Sequence, residues 1–232
     1  MLTAALTGTS HAQGMWEDEA VDAIKAMDAY IDAMQTFVVE VEMYRDAEIG
    51  PTLTISNPSM SRVVVDRSGS MRSTTDGVLR KTEIIINDGA LTVYTDDRNL
   101  FARADVPEEL DDALLHALDE YDVETPALDL LLIGSLEYIV GEEDDVIYVS
   151  GSGSVRGVDC HHVLIVGQAA DLQLWIAKGD KPTPVRSVMT LNTPMRPSVV
   201  QFMNWEAKSV RASEFDFEPP DGAREITFIE SK

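Results

Sequence analysis

The chain carries the stretch IIINDGALTVYT at residues 84–95. Two apolar runs flank Asp88-Gly89, and both residues of that pair tolerate the positive φ angles of a two-residue turn. The stretch therefore predicts a β-hairpin. A second turn-like run at residues 96–99 leads into Leu100, where the apolar pattern of a strand resumes. We expect these residues to form consecutive antiparallel strands.

Further strands are predicted on both sides of this hairpin. Upstream, apolar and polar residues alternate between residues 37 and 44, which is the period of a half-buried strand. Downstream, strand patterns cover residues 146–149, 160–166, 172–177, 185–191 and 199–206. The connections between them are short and contain no helix, which is typical of an antiparallel sheet. The run Gly-Ser-Gly-Ser at residues 151–154 is predicted to be a flexible hairpin loop, because it lacks the spacing of a phosphate-binding loop.

An amphipathic helix is predicted near the N-terminus. Within residues 16–34, the apolar residues recur at spacings of three and four, which places them on one helical face. They are Ala20, Ile24, Met27, Ile31 and Met34. The acidic residues at the start of this segment suit the positive end of a helix dipole.

A second helical segment is predicted between the two strand-rich halves. Asp105 is expected to cap a helix that has Pro107 in its first turn, since proline is favoured there. Leucines recur every four residues along its apolar face, at Leu110, Leu114 and Leu118. Pro126 is expected to open a further helix with an apolar side formed by Leu128, Leu131 and Leu132.

The charge of the chain is concentrated in these two segments. The 232 residues include 41 acidic and 18 basic side chains, a formal net charge of -23. Residues 17–48 hold ten acids and two bases, and residues 105–145 hold fifteen acids and no base, so the remainder is neutral. A chain without a basic stripe is not expected to bind nucleic acid or an anionic membrane surface. No apolar run approaches the roughly 18 residues of a membrane-spanning helix.

The N-terminus is interpreted as a targeting segment. Residues 1–12 read MLTAALTGTSHA, and the small residues Ser10 and Ala12 suit signal-peptidase cleavage before Gln13. The basic start of a signal peptide is missing, so we expect the true start of the protein to lie upstream of Met1. The alternative is a disordered cytoplasmic N-terminus. We therefore expect a secreted, periplasmic protein with a single domain at residues 13–232.

No residue pattern indicates catalysis or a cofactor. Cys160-His161-His162 is a local cluster of metal-ligating residue types, but no second motif completes a zinc site, so a packed or surface role is favoured. Catalytic motifs such as G-x-S-x-G and H-E-x-x-H are missing, and pairs of carboxylates discriminate nothing in so acidic a chain. We expect a protein that is not an enzyme and has no cofactor or metal.

The late strands carry large apolar residues on both faces. Alternation places Leu174 and Trp175 on opposite faces of one strand, and Met203 and Phe202 on opposite faces of another. A sheet with one solvated face would need only one apolar side. Either both faces are covered, or one face lines an apolar cavity.

Five segments, taken in order along the chain, resemble a known family. They are RSGSMR at residues 67–72, NDGALTVYTDDRN at 87–99, GVDCHHV at 157–163, LQLWIAKGDKPTPVR at 172–186 and FDFEPPDGA at 215–223. The family consists of bacterial predicted periplasmic proteins of unknown function, related to the outer-membrane lipoprotein-carrier (LolA/LolB-like) superfamily. The resemblance implies an α+β fold, in which helices cover the concave face of a curved antiparallel half-barrel.

The resemblance also implies a class of function. In the carriers the apolar concavity holds lipoprotein acyl chains, whereas related domains sense envelope stress or bind other lipids. We expect a module that binds a hydrophobic ligand, a lipid or a lipoprotein, without inserting stably into a membrane. The residues expected to line the cavity or its lid are Leu110, Leu114, Leu118, Leu131, Trp175, Val200 and Phe202. The alternative is an envelope interaction or sensor module that docks a basic protein partner on its acidic helices.

Overall fold

A computed structural model describes residues 16–50, 52–133 and 146–229. The predicted signal remnant at residues 1–12 lies outside the described residues. The described chain forms one 12-stranded sheet, which is curved and not closed into a barrel. The strands are β1 (Thr36–Ile49), β2 (Leu53–Asp66), β3 (Ser70–Gly77), β4 (Lys81–Asn87), β5 (Ala90–Thr95), β6 (Leu100–Asp105), β7 (Val146–Val155), β8 (Val158–Val166), β9 (Ala170–Ala177), β10 (Pro184–Leu191), β11 (Ser198–Ala207) and β12 (Arg224–Ile226).

The sheet is built almost entirely from neighbouring hairpins. Its strand order is β12-β6-β5-β4-β3-β2-β1-β11-β10-β9-β8-β7. Every pair of strands is antiparallel except β12 and β6. The first strand pairs with both β2 and β11, so it joins the two strand-rich halves. The predicted fold class is confirmed.

The hairpin at residues 84–95 forms as predicted. Strands β4 and β5 pair from Thr82–Thr95 to Asn87–Ala90, and the turn consists of Asp88 and Gly89 alone. Both turn residues have positive φ, 50° and 70°. These angles are those of a type I′ turn, in which the twist of the turn matches that of the strands.

Three α-helices lie on one face of the sheet, which we call the concave face. They are α1 (Asp18–Asp32), α2 (Leu110–Tyr121) and α3 (Leu128–Leu131). The first helix is the one that the apolar spacing predicts, with Ala20, Ile24, Met27 and Ile31 buried. The apolar faces of all three helices pack into one core with the strand side chains of the concave face, such as Phe37, Val65, Leu91 and Leu174.

Two predicted boundaries are wrong. The second helix begins at Leu110 rather than after Asp105, since Asp105 ends β6 and the Val106 N–H still bonds the Gly89 carbonyl. Pairing with the preceding hairpin therefore outweighs the helix-start pattern.

Residues 151–154 are not a loop but part of β7, and the turn that follows consists of Arg156 and Gly157. Both turn residues have positive φ, and the short turn extends the pairing into the Gly-Ser run.

The opposite, convex face is partly covered by the C-terminal segment. Phe215 packs against Val38 and Val64, and Arg72 donates to the carbonyls of Glu214 and Asp216. The segment then reaches the edge of the sheet, where β12 pairs in parallel with β6. This covering explains the apolar residues on the convex side of β1 and β2.

Candidate functional site

The helices α2 and α3 cover the concave face and form a lid. Leu110 and Leu114 on α2 and Leu131 on α3 are buried, while Leu118 is partly buried against the same core. The structure thus brings four of the seven predicted site residues together between lid and sheet. Their role in binding a ligand stays a prediction.

A buried arginine lies between the two acidic helices. Arg67 belongs to the turn between β2 and β3, and only 5% of its side chain is exposed. Its guanidinium lies 3.8 Å from a carboxylate oxygen of Asp111 on α2 and 4.0 Å from one of Asp32 on α1. Its carbon Cζ lies 5.3 Å from the centroid of the Phe37 ring. Burial lowers the pKa of Arg67, and the nearby carboxylates oppose that change by favouring the charged form.

The lid also makes close polar contacts with the turn and with itself. Asp111 accepts a hydrogen bond from the Ile133 backbone N–H at 2.7 Å, which joins the start of α2 to the end of the α3 segment. At Gly69, φ is +129°, and an added Cβ would lie 2.8 Å from the carbonyl oxygen of Glu108. Only glycine allows the turn to approach the chain entering α2 this closely.

A cavity of about 180 Å³ opens beside α3 on the concave face. It lies over the ends of β10 and β11 and is continued inward by a space of about 20 Å³ under Leu130. Its walls are Arg45, Asp46, Glu124, Asp129, Met189, Leu191, Pro197, Ser198, Val199 and Gln201. Gln201 holds the inner end, because its side-chain oxygen accepts the Ala127 backbone N–H at 3.1 Å. We call this space the lid cavity.

The charged side chains of the lid cavity differ in their ion pairs and hydrogen bonds. Arg45 pairs with Glu124 at 2.7 Å. Asp46 accepts both the backbone N–H and the hydroxyl of Ser198, and these bonds lower its pKa. The pKa of Asp129 is raised, first by burial and then by the charge of Glu124. Asp129 is nevertheless exposed at the rim of the cavity, so solvent still reaches part of the side chain whose pKa is raised.

The other three predicted site residues lie on the convex face. Trp175 stacks on His162 with ring centroids 4.1 Å apart. Arg186 lies over both Trp175 and Phe202, and Arg156 lies 4.2 Å from the Phe202 ring centroid. Val200 pairs with Val188 and Tyr44 on the same face. The apolar rings there are covered by cationic side chains, whereas the lid covers the opposite face of the sheet.

Sequence reasoning missed Arg67, Asp129 and Gln201 as residues of the lid. Arg67 stands in one of the motifs of the resemblance, but its burial depends on where two distant helices pack. The alternative prediction, a basic partner docked on the acidic helices, treats Asp111 as one of the acids of that surface. The structure instead places Asp111 against Arg67 and the Ile133 N–H.

The cysteine and histidines of β8 have separate surroundings. Cys160 is buried, and its pKa is raised by that burial. His161 faces Glu19 of α1 at 3.6 Å, while His162 stacks on Trp175 on the other side of the sheet. Within residues 16–50, 52–133 and 146–229, no three side chains of metal-ligating types come together. The same ranges contain no helix long and apolar enough to span a bilayer.

Comparisons with known proteins place this fold in a family. The family described as predicted periplasmic protein (DUF2092) matches residues 20–229. A search of curated proteins gives no match. Among solved structures, an uncharacterized conserved protein from Thermus thermophilus is 12% identical with a TM-score of 0.53, over 90% of this chain and 99% of that one.

Two further structures match over most of their length. LprF from Mycobacterium bovis is 15% identical with a TM-score of 0.53, and the match covers 91% of this chain and all of that one. The LolA superfamily protein NE2245 from Nitrosomonas europaea is 12% identical with a TM-score of 0.42, over 85% and 97% of the two chains. At these identities the first two matches establish the fold.

Replacing the buried arginine tests the hold on the lid. We expect Arg67→Leu to lower the free energy of unfolding by about 1–3 kcal/mol, because the partly exposed Asp32 and Asp111 lose their common cation. Amide hydrogen exchange in α2 should rise more than in β4. The exposed Arg62→Leu, which breaks only a surface pair with Glu214, serves as the control and should cost less than about 1 kcal/mol. Equal losses of unfolding free energy in Arg67→Leu and Arg62→Leu would contradict a role of Arg67 in holding the lid.

The raised pKa of Asp129 makes a pH-dependent prediction. A pKa that is higher in the folded protein favours folding when the group is protonated, and this contribution is lost as the pH rises through the folded pKa. Asp129→Asn should therefore raise the melting temperature at pH 7, and the two proteins should converge below a pH of about 3.9. Asp112→Asn, on an exposed position of α2, controls for the loss of one negative charge. A lower melting temperature of Asp129→Asn at pH 7 would contradict the raised pKa of Asp129.

Proposed function

Because the chain belongs to the family of predicted periplasmic proteins, we propose that it is a non-catalytic periplasmic protein that binds the hydrocarbon part of a lipid or lipoprotein. The ligand lies between the lid and the concave face. The observation that carries the proposal is the lid cavity, which opens beside α3 and reaches the apolar core through the small space under Leu130. The resemblance of five sequence segments to the lipoprotein-carrier superfamily supports the same class of ligand.

The size of the lid cavity implies that the lid moves when a ligand binds. Its volume of about 180 Å³ is smaller than the roughly 300–1,000 Å³ of typical ligand pockets. The layer beneath it is filled by the leucines of α2 and α3. A hydrocarbon chain therefore enters at the cavity and takes the place of these side chains as the lid shifts outward.

An energy estimate sets a minimum length for the ligand. Exposing Leu110, Leu114 and Leu131 costs about 1.5–3 kcal/mol each, or roughly 5–9 kcal/mol together. Burying one methylene contributes about 0.8 kcal/mol, so a chain of roughly ten methylenes offsets the exposure of the three leucines. Long acyl chains can open the lid on these terms, and short ones cannot.

The rim of the lid cavity favours a neutral or positively charged polar end on the ligand. The pKa of Asp129 is raised by partial burial and by the charge of Glu124, so a further negative charge is unfavourable there. The nearby cation, Arg45, is held by Glu124 at 2.7 Å. A carboxylate or phosphate placed at this rim would meet like charge, whereas an amine would relieve it.

Two neighbouring positions on one strand test which face binds the ligand. Val199 lines the lid cavity, and Val200 points to the convex face, yet both are half-buried. We expect Val199→Trp to weaken the binding of a fluorescent C16 fatty-acyl probe by about tenfold or more, because the larger ring fills the cavity. Val200→Trp should bind as the unchanged protein does. Loss of binding with Val200→Trp alone would move the site to the convex face, and no uptake by the unchanged protein would overturn the proposal.

Chain length and polar end can be varied independently in the same assay. In competition with the C16 probe, saturated amines with 8, 12 and 16 carbons should bind with affinities that rise steeply, by about fourfold per methylene once the lid is open. At 16 carbons, the amine should compete better than the carboxylic acid at pH 7, and Asp129→Asn should reduce that preference. An affinity that does not depend on chain length would contradict burial of the chain under the lid.

A further inference from the structure

One edge of the sheet is covered over only part of its length. Strand β7 is the last strand in the order, and the first part of its outer edge is occupied by the chain leading into α1. There Trp16 forms a parallel bridge with Ile147, and the Glu17 N–H bonds the Ile147 carbonyl at 2.8 Å. The Glu17 carboxylate accepts the Val149 N–H at 2.8 Å. The chain itself thus shows that this edge accepts an added segment.

Beyond Val149 the edge is open as far as the described residues go. The pairing with β8 shifts register between Val149 and Gly151, and the four residues 151–154 are exposed. At the turn Arg156-Gly157, Val155 and Val158 form the closing pair, so alternation along the ladder directs the backbone groups of Ser152 and Ser154 away from β8. No other strand of the described ranges pairs with β7 there.

The side chains of this open edge leave room for a partner strand. A Cβ added at Gly151 or Gly153 would meet nothing within 4 Å, so there is open space on the convex side. Gly151 pairs with His162, which stacks on Trp175, and an apolar side chain placed over the glycines would border this stack. The edge carries no charged residue from 150 to 155. Residues 151–154 themselves include no lysine or proline, two residue types by which natural sheet edges prevent pairing.

The other side of the same edge carries four exposed acids and one lysine. Lys178, which follows β9, donates a hydrogen bond to the Ser152 hydroxyl at 2.8 Å, and the acids outnumber it. Ser152 pairs with His161, whose ring nitrogen lies 3.6 Å from the Glu19 carboxylate at the start of α1. The exposed acids of that first helical turn are Glu17, Asp18, Glu19 and Asp22. An added strand would therefore have these acids and Lys178 beside one of its faces, and the His162–Trp175 stack, which Arg186 covers, beside the other.

We propose that residues 151–154 of β7 accept an extended segment of a partner protein, in which basic side chains alternate with apolar ones. The segment adds a strand to the sheet through the backbone groups of Ser152 and Ser154. Its basic side chains face α1, and its apolar side chains lie over Gly151 and Gly153. The interaction does not use the lid cavity and is independent of the proposed lipid.

A peptide of defined pattern tests this surface on the full chain. The probe is an acetylated, amidated peptide with four Lys-Val repeats, compared with four Glu-Val repeats and four Lys-Pro repeats. We expect the Lys-Val peptide to bind about tenfold or more tightly than the other two. The Glu-Val peptide lacks the positive charge, and the Lys-Pro peptide lacks the backbone N–H at every second residue. In the complex, amide exchange at Ser152 and Ser154 should slow by about tenfold or more, with no comparable change in α2.

A proline on the open edge provides the variant. Ser152→Pro removes an outward N–H while leaving the pairing with β8, so binding of the Lys-Val peptide should fall by about tenfold or more. Ser152→Ala keeps the N–H and is the matched control, and both variants should bind the C16 probe as the unchanged protein does. Three results would overturn the proposal: no binding of the Lys-Val peptide, binding without protection at Ser152 and Ser154, or equal affinity in a folded Ser152→Pro variant. The exchange measurement needs no variant and decides the matter if the proline variant does not fold.

Discussion

The structure depends on covering the apolar inner face of an open sheet, and a buried arginine lies where the covering helices α1 and α2 meet. A sheet of this length cannot leave residues such as Phe37 and Leu174 in water, and its open form allows helices to reach them. The two segments that supply the helices both carry strong negative charge, so they repel each other where they meet. Arg67 lies at that meeting point with a carboxylate from each segment. The guanidinium makes no hydrogen bond to the described residues, but its positive charge offsets part of the repulsion between the two acidic segments.

This arrangement makes a lid that is stable but separable. The apolar contacts under α2 and α3 are extensive, but their polar attachments are few and specific: Arg67 with Asp111, Gln201 with the Ala127 N–H, and Arg45 with Glu124. Polar contacts of this kind can exchange with water as a lid shifts, whereas the apolar layer needs a replacement. A hydrocarbon chain is a replacement of matching chemistry, which links the packing of the core to the proposed ligand.

The sequence predicts local structure well wherever pairing and helix formation agree. The hairpin around Asp88-Gly89 and the apolar stripe of α1 form as expected. The prediction fails where a long-range pairing decides: Asp105 continues a strand because β5 lies beside it, and residues 151–154 form a strand because β8 holds them. Prediction of the candidate site has the same limit, because long-range packing decides which residues meet. Leucine spacing identifies the lid, but alternation alone cannot say which face of the sheet the lid covers. The prediction therefore joins Trp175, Val200 and Phe202 to residues that lie on the other side.

The two faces of the sheet also differ in charge, which gives the net charge of -23 a physical meaning. On the convex face, the rings of Phe101, Trp175 and Phe202 are covered by Arg103, Arg186 and Arg156. On the concave side, the helices and the rim around Asp129 carry the acids. On the concave side Arg67, Arg45 and Lys178 are outnumbered by these acids, so we expect the field to be most negative at the lid and beside the start of α1. A ligand or a partner segment with a positive charge is therefore drawn to the same side of the molecule on which the cavity and the open strand lie.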